Sequence, residues 1–419
     1  MISVNHTAKI MAEIEIPGSK SLTHRALIIS ALAEGESRII RPLMCEDTEL
    51  TMKALQSLGA EITPEDGDLE VKGTGGTLAE SGADIDLDNS GTSMRLLTSV
   101  AALSSGSWVL TGSDRMQARP IQPLLDSLTE LGVKTRSING TGCPPVEIEG
   151  GGIRGGKTSI SASQSSQFLS SLLLSGPYAE NDVTIQVIDS VSSWPYVELT
   201  IMMMQAFGVE MEHEGRNWFR IPARQQYRAR DIAIEGDCSS AAYFWAAAAV
   251  SRGYVITRHI KPFSLQPDFG FLDVLSLMGC EITYGTDWVA VQGHALSGID
   301  IDMNSMPDQV PTLAVLACLA RGRTTIRNVA HLHHKESDRL VDLAAELKKL
   351  GAKVEVREDG LDVEGGKLRE ATVDPHQDHR LAMCFAVARL INPGIKILDP
   401  DCVSKSFPEF WDLFGELAL

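Results

Sequence analysis

The sequence predicts an α/β protein of two domains with three small repeated units in each. Three observations lead there: the amount of apolar chain, a phrase that recurs at nearly constant spacing, and two glycine turns at which the chain changes domain. The 419 residues are 43% hydrophobic, more than one ordinary core organises, so two cores are expected. The phrase first occurs at Leu55 to Leu58, Gly59, Ala60, Glu61 and Ile62, and it reads as the end of an amphipathic helix, a glycine cap and then a strand. It recurs around Gly132, Gly208, Gly279 and Gly351, with a weaker sixth copy from Trp411 to Gly415, at intervals of 73, 76, 71, 72 and 64 residues. Such a period is too long for a helical solenoid repeat and mixes both periodicities, so each copy is expected to be a small α/β subdomain.

The order of elements places the two crossings. Residues 12–16, AEIEI, alternate as a strand does, and Pro17, Gly18 and Ser19 turn the chain into the helix of Lys20 to Leu27. Between the third and fourth copies, Gly236 and Asp237 precede the continuous apolar run of Ala241 to Val250. That run is too short to span a bilayer and reads as a buried helix capped by Asp237 or Ser239. One domain is therefore expected to be continuous, residues 18–236, and the other discontinuous, residues 1–17 with 237–419. The glycine-rich stretch Gly150 to Gly156 reads as a turn between elements.

Charge narrows the partners. A net charge of −18 repels polyanions, so neither a nucleic acid nor an anionic membrane surface is an expected partner, and an anionic ligand needs a local cluster of cations. The seven cysteines are scattered, odd in number and free of CxxC spacing, the pattern of reduced thiols in a cytoplasm. The opening residues lack a basic start followed by an apolar run, so no secretory leader is expected.

Four segments carry chemistry. In Gly18 to Leu27 a glycine turn opens a helix with Lys20, Ser21 and Arg25 at its head. Free N–H groups, macrodipole and cations there point the same way, toward an oxyanion or phosphate, although a capped helix with a solvated charge has the same spelling. Asp88 to Arg95 repeats the design, with Gly91 permitting close approach of a ligand to the backbone, although a plain capping turn has the same spelling. Ser161 to Phe168 sets hydroxyls and an amide before an apolar helix, a neutral donor set suited to a polyol or its phosphate. In Lys335 to Leu340 the two cations Lys335 and Arg339 are read as one helical turn apart, with Leu340, Leu343, Ala344, Leu347 and Leu350 as the buried stripe, although an ordinary surface ion-pair network has the same spacing. Asp378-His379-Arg380 and Lys405-Ser406-Phe407-Pro408 add weaker signals.

Taken in order, PGSKSLTHRAL, NSGTSMR, ARPIQPLLDSL, SSQF, GDCSSAAYF, KESDRL, DHRLAM and SKSFPEF resemble the enolpyruvyl transferase family, specifically the 5-enolpyruvylshikimate-3-phosphate synthases, from Pro17 to Pro408. The resemblance implies a two-domain inside-out α/β barrel of six βαβαββ repeats, three per domain about a pseudo-threefold axis. The active site is implied in the interdomain cleft, which closes on ligand. It implies transfer of the enolpyruvyl group of phosphoenolpyruvate to the 5-hydroxyl of shikimate 3-phosphate by addition and elimination, with no metal and no cofactor. It assigns Lys20, Gly91, Arg119, Gln167, Arg339, Arg380 and Lys405 to phosphoenolpyruvate. It assigns Ser21, Arg25, Ser165, Ser166, Gln167, Ser193, Tyr196, Asp308, His331 and Lys335 to shikimate 3-phosphate. Asp308, Glu336 and Lys20 are the implied catalytic groups. A cytoplasmic monomer whose partners are these two small molecules is expected, with glyphosate as an inhibitor lying against Gly91.

The chain departs from the family pattern at several points. His333 stands where Arg is usual, and His331 where a polar residue such as Asn often meets the sugar phosphate, so phosphate affinity is expected to depend on pH. His331, His333 and His334 also invite a metal reading. It is disfavoured because adjacent histidines in an extended segment point apart and no carboxylate completes a ligand set. Trp194 replaces Arg or Lys, so one contact near the substrate is expected to be lost or to become stacking, and Leu96 replaces a common proline. The UDP-N-acetylglucosamine enolpyruvyl transferases use a loop cysteine and an Asn after the first lysine. Here Ser21 follows Lys20, and Asp114 to Arg119 contains no cysteine. A catalytically lapsed relative is expected to have lost Asp308, Glu336 or Lys20, and all three are present.

Overall fold

The computed structural model describes residues 9–80 and 84–417. They divide into two compact units, Gly18–Ile234 and the segment ending at Pro17 together with Glu235 onward. Each unit has its own apolar core, and the two sets of core residues share no member. In chain order the helices are α1 (Lys20–Leu32), α2 (Glu46–Ser57), α3 (Gly91–Ala101), α4 (Gln122–Glu130), α5 (Ser166–Ser175), α6 (Pro195–Ala206), α7 (Cys238–Ser251), α8 (Phe271–Met278), α9 (Val310–Leu319), α10 (Arg339–Lys349), α11 (His379–Ile391) and α12 (Phe410–Glu416).

One repeat shows the pattern. Strand Asp84–Asp86 leads to α3, strand Ser107–Thr111 and α4, then a hairpin of Lys134–Ser137 with Val146–Glu149. The first two strands pair in parallel, and the hairpin adds antiparallel on the second. Among the described residues five four-stranded sheets form; four run first, second, fourth, third in chain order, and in the fifth Ile232–Ala233 takes the first strand's place beside Glu36–Ile40. Parallel neighbours need a crossover connection and antiparallel ones only a turn, so in the three sheets built from consecutive strands one helix crosses and the other reaches the hairpin. The glycines of the repeated phrase end the second helix of each repeat: Gly59, Gly132, Gly208, Gly279 and Gly351 have φ of 107°, 89°, 84°, 113° and 84°, a conformation costly to a residue with a Cβ.

The sixth repeat differs from expectation. Only Thr372–Val373 and Lys396–Ile397 pair there, and among the described residues no hairpin follows. Gly415 lies inside α12 rather than capping it. The two chain crossings also exchange strands. Met11–Glu15, which directly precedes α1, pairs with Tyr254–Arg258 beyond α7, and Ile232–Ala233, which precedes α7, pairs with Glu36–Ile40 beyond α1.

The first helices of the repeats form the interiors. α7, α9 and α11 pack on one another, and Ala241 through Ala249 along α7 are at most 1% exposed. Successive alanines let neighbouring backbones approach on every side of α7, which is why it lacks an amphipathic stripe. Trp245 is accommodated because its indole N–H reaches Thr257 Oγ1 at 2.8 Å. In the other unit α3 packs against α1 and α5. No helix among the described residues is long and apolar enough to cross a membrane.

Candidate functional site

In the Gly18–Ile234 unit the helix heads carry the predicted side chains. Lys20 opens α1, and its ammonium lies 2.7 Å from Asp47 Oδ2 in the first turn of α2. One turn further, Arg25 is buried, and its guanidinium donates to Thr200 Oγ1 (2.8 Å) and to the carbonyls of Ser21 and Tyr196 (both 2.9 Å). All three acceptors are neutral, and among the described residues no carboxylate pairs with it. Burial lowers Arg25 to about 10, because desolvation disfavours the charged form and outweighs the opposing effect of Tyr196.

Gly91 begins α3 with the guanidinium of Arg119 against it. A Cβ at this position lies 2.5 Å from Arg119 Nη2 and 2.8 Å from Cζ, so only glycine leaves that guanidinium where it is. Arg119 also donates to the carbonyl and the side-chain oxygen of Asn89, both at 3.3 Å. Gln167 joins two helix heads, donating to Thr92 Oγ1 (3.0 Å) and accepting from Arg95 (3.1 Å). Ser165 caps α5, its hydroxyl accepting from Gln167 N at 3.2 Å, and Ser166 is buried in the first turn. Ser193 takes a left-handed φ of 55° just before α6. Trp194 is buried against Phe219 with Arg216 over its ring, so the stacking it makes is with its own unit's interior.

In the other unit three carboxylates converge on one cation. Arg339, the first residue of α10, is buried and satisfied by three carboxylates at 2.7 Å each: Asp308 through Nη1, Glu336 through Nη2 and Asp378 through Nε. Arg380, at the start of α11, holds the second oxygen of Asp308 at 3.0 Å and donates to Tyr243 Oη at 3.4 Å. Burial raises Asp308, but Arg380, Lys335 and Arg339 outweigh it and hold the carboxyl well below the usual carboxylate range. The same carboxylates raise Arg339, against its desolvation. Lys405 ends the turn Pro400–Lys405, is itself buried, and sits on a segment packed against α11.

Several expectations change here. Lys335 and Arg339 are not one helical turn apart: Asp338 caps α10 through Val341 N at 3.1 Å, so Lys335 lies in the bend before the helix. His331, His333 and His334 occupy a 3-10 turn, Ala330–His334, rather than an extended segment. Among the described residues no group of three or more His, Cys, Asp or Glu side chains could hold a metal. His333 pairs with the cap residue Asp338 at 2.7 Å. Burial, then the nearby Lys335 charge, lowers His331 to about 3, so His331 stays neutral and is not a source of pH dependence near neutrality.

Two carboxylates, Asp47 and Asp268, escaped sequence reasoning, and Asp378 was read only as part of the weak Asp378-His379-Arg380 signal. Asp47, Asp378 and Asp268 act as partners of other groups, and spacing carries no sign of which cation a carboxylate meets. Asp268 is buried beside the Asp308 turn, accepting from Ser239 Oγ and from Gln309 Nε2 (3.1 Å). Burial, then the Asp308 charge, pushes it up to about 6.

The model of the EPSP synthase (3-phosphoshikimate 1-carboxyvinyltransferase) family matches residues 4–414. A 3-phosphoshikimate 1-carboxyvinyltransferase of Methanoculleus marisnigri is 46% identical over 419 residues, covering 99% of both chains. One of Methanosphaerula palustris is 47% identical over 401 residues, covering 94% of both. The structure of an EPSP synthase from Acinetobacter baumannii superimposes with a TM-score of 0.83 at 28% identity, over 99% of this chain and 97% of that one. With the family model spanning nearly every residue and relatives this similar along their whole lengths, the chain belongs to the EPSP synthase (3-phosphoshikimate 1-carboxyvinyltransferase) family.

Proposed function

We propose that the chain transfers the enolpyruvyl group of phosphoenolpyruvate to the 5-hydroxyl of shikimate 3-phosphate, releasing phosphate through a tetrahedral intermediate. The family's activity, 3-phosphoshikimate 1-carboxyvinyl transfer in the shikimate pathway, is the chain's activity. The finer reading assigns Asp308 to the hydroxyl proton, Glu336 to proton traffic at C3 and Lys20 to the developing negative charge. Phosphoenolpyruvate falls to Lys20, Gly91, Arg119, Gln167, Arg339, Arg380 and Lys405. Shikimate 3-phosphate falls to Ser21, Arg25, Ser165, Ser166, Gln167, Ser193, Tyr196, Asp308, His331 and Lys335. An inside-out barrel with pseudo-threefold symmetry in each domain, a monomeric state and a cytoplasmic location complete the proposal.

The observation that carries it is the state of Asp308, a half-buried carboxylate bound through both oxygens by Arg339 and Arg380. Held ionised, it can accept a proton but is a weak base. Substrates bearing phosphate and carboxylate compete for the same arginines, and each cation drawn away from Asp308 raises its proton affinity. Basicity therefore arrives with the substrates. Arg25 supports the reading from the other unit, since a buried cation bonded only to neutral acceptors gains most from an arriving phosphate.

Phosphate release with both substrates present tests the activity, and Asp308→Asn tests the assignment. The amide keeps the shape but cannot take the proton, so turnover is expected to fall about 10²- to 10⁴-fold while calorimetry shows shikimate 3-phosphate still bound. Turnover near that of the wild type in Asp308→Asn would remove Asp308 from the chemistry.

A further inference from the structure

The segment between strand Thr372–Val373 and α11 contains two successive residues in the left-handed region, His376 at φ 53° and Gln377 at φ 55°. Neither is glycine. Residues with side chains keep this conformation only where their surroundings hold it.

The hold comes from Glu346, two turns along α10 from Arg339. Its buried carboxylate accepts from the backbone N–H of Asp374 at 3.0 Å through Oε2 and pairs with His376 Nε2 at 3.0 Å through Oε1. Asp374 in turn accepts from the His376 N–H at 2.7 Å, and Asp378 N donates to Pro375 O at 2.9 Å, closing the turn. What the turn delivers is Asp378. One oxygen of this fully buried carboxylate accepts from Arg339 Nε at 2.7 Å and from Ser337 Oγ at 3.2 Å, and the other accepts from Arg380 N at 2.9 Å, capping α11. Both arginines that grip Asp308 are therefore set by the one residue that emerges from the left-handed pair.

We propose that Glu346 and His376 form a clamp that imposes the left-handed turn before Asp378 and thereby positions Arg339 and Arg380 for the reaction. The inference rests on the roles of those arginines given under the proposed function. Glu346 and His376 are positioning residues: they act through Asp378 and touch no reacting atom. One helix supplies both Arg339 and Glu346, so the turn is held to the element that carries the arginine it orients.

The test is steady-state kinetics on the full chain with both substrates varied. His376→Ala and Glu346→Ala are expected to lower kcat and raise the phosphoenolpyruvate KM, with a combined loss in kcat/KM of about 10- to 100-fold. The shikimate 3-phosphate KM moves less than about threefold on the same grounds. Glu346→Gln keeps an acceptor for Asp374 N and recovers most of the loss. Lys349→Ala, which removes the third partner of the same carboxylate at 2.7 Å, leaves the constants unchanged. Gln377→Gly placed in His376→Ala restores a large part of kcat/KM, because glycine takes φ near 55° without the clamp. If Glu346→Ala does not fold, His376→Ala decides, since its side chain is 34% exposed. Wild-type constants in folded His376→Ala, or no recovery on adding Gln377→Gly, would overturn the clamp. Absence of turnover in the wild type would instead overturn the function.

Discussion

Arg25 and Arg339 are both buried guanidinium groups at the heads of helices, one in each unit, and they are paired in opposite ways. Arg25 meets a hydroxyl and two carbonyls; Arg339 meets three carboxylates. The surroundings leave the first with uncompensated positive charge and give the second more negative charge than it carries. The first is thus suited to receive an anion from solution. The second serves to keep acids ionised and in register. Counting arginines near a presumed phosphate site would have treated them alike.

Removing the cation from the carboxylates is the harshest way to break the comparison. Arg339→Met leaves Asp378 buried without its principal counter-charge, and urea unfolding is expected to show a loss of about 3–5 kcal/mol. A loss under 1 kcal/mol would mean the three carboxylates do not depend on Arg339. Arg25→Met is the sharper counterpart. Its acceptors are neutral, so stability changes by about 1 kcal/mol or less, whereas shikimate 3-phosphate affinity by calorimetry falls roughly 100-fold, the worth of a charge-assisted phosphate contact. Unaltered affinity would take Arg25 out of the binding set.

Gly91 offers a milder perturbation. Because an added Cβ meets Arg119 first, Gly91→Ala is expected to move that guanidinium and raise the phosphoenolpyruvate KM several-fold, about 3- to 10-fold. The inhibition constant for glyphosate, which is longer than the substrate it displaces, should rise by a larger factor. Equal changes in both constants would place the steric conflict entirely at Arg119. The smallest effect concerns His331. Its folded pKa lies below its unfolded value, so it contributes stability above pH 6.5 that is lost as pH falls toward 3. Between pH 6.5 and 8, His331→Asn should therefore leave the pH profile of shikimate 3-phosphate binding unaltered, and a changed slope there would show that the imidazole titrates.

The same contrast marks what the sequence makes legible. Repeat caps, helix heads and the apolar runs behind them are local patterns, so Gly59 to Gly351, Lys20, Ser165 and the stripe of α10 can be read along the chain. Arg25 with Ser21 is local as well. The cage around Arg339 is not, because Asp308 and Asp378 arrive from 31 and 39 residues away. The start of α10 was misread for a related reason: Lys335 to Leu340 has helical charge spacing, but the capping bond from Asp338 fixes the first turn four residues later than the charges imply. The missing sixth hairpin was hidden by the chance likeness of Trp411 to Gly415 to the true caps.

The exchange of first strands bears on how the chain is made. Everything the Gly18–Ile234 unit needs, including strand Ile232–Ala233, has been synthesised by the time residue 234 is added. Strand Met11–Glu15 has no such luck, since its parallel partner, Tyr254–Arg258, lies more than two hundred residues downstream. At about 5–20 residues per second, roughly ten to fifty seconds separate the synthesis of that strand from that of its partner. Strand Met11–Glu15 is thus made well before the strand it pairs with.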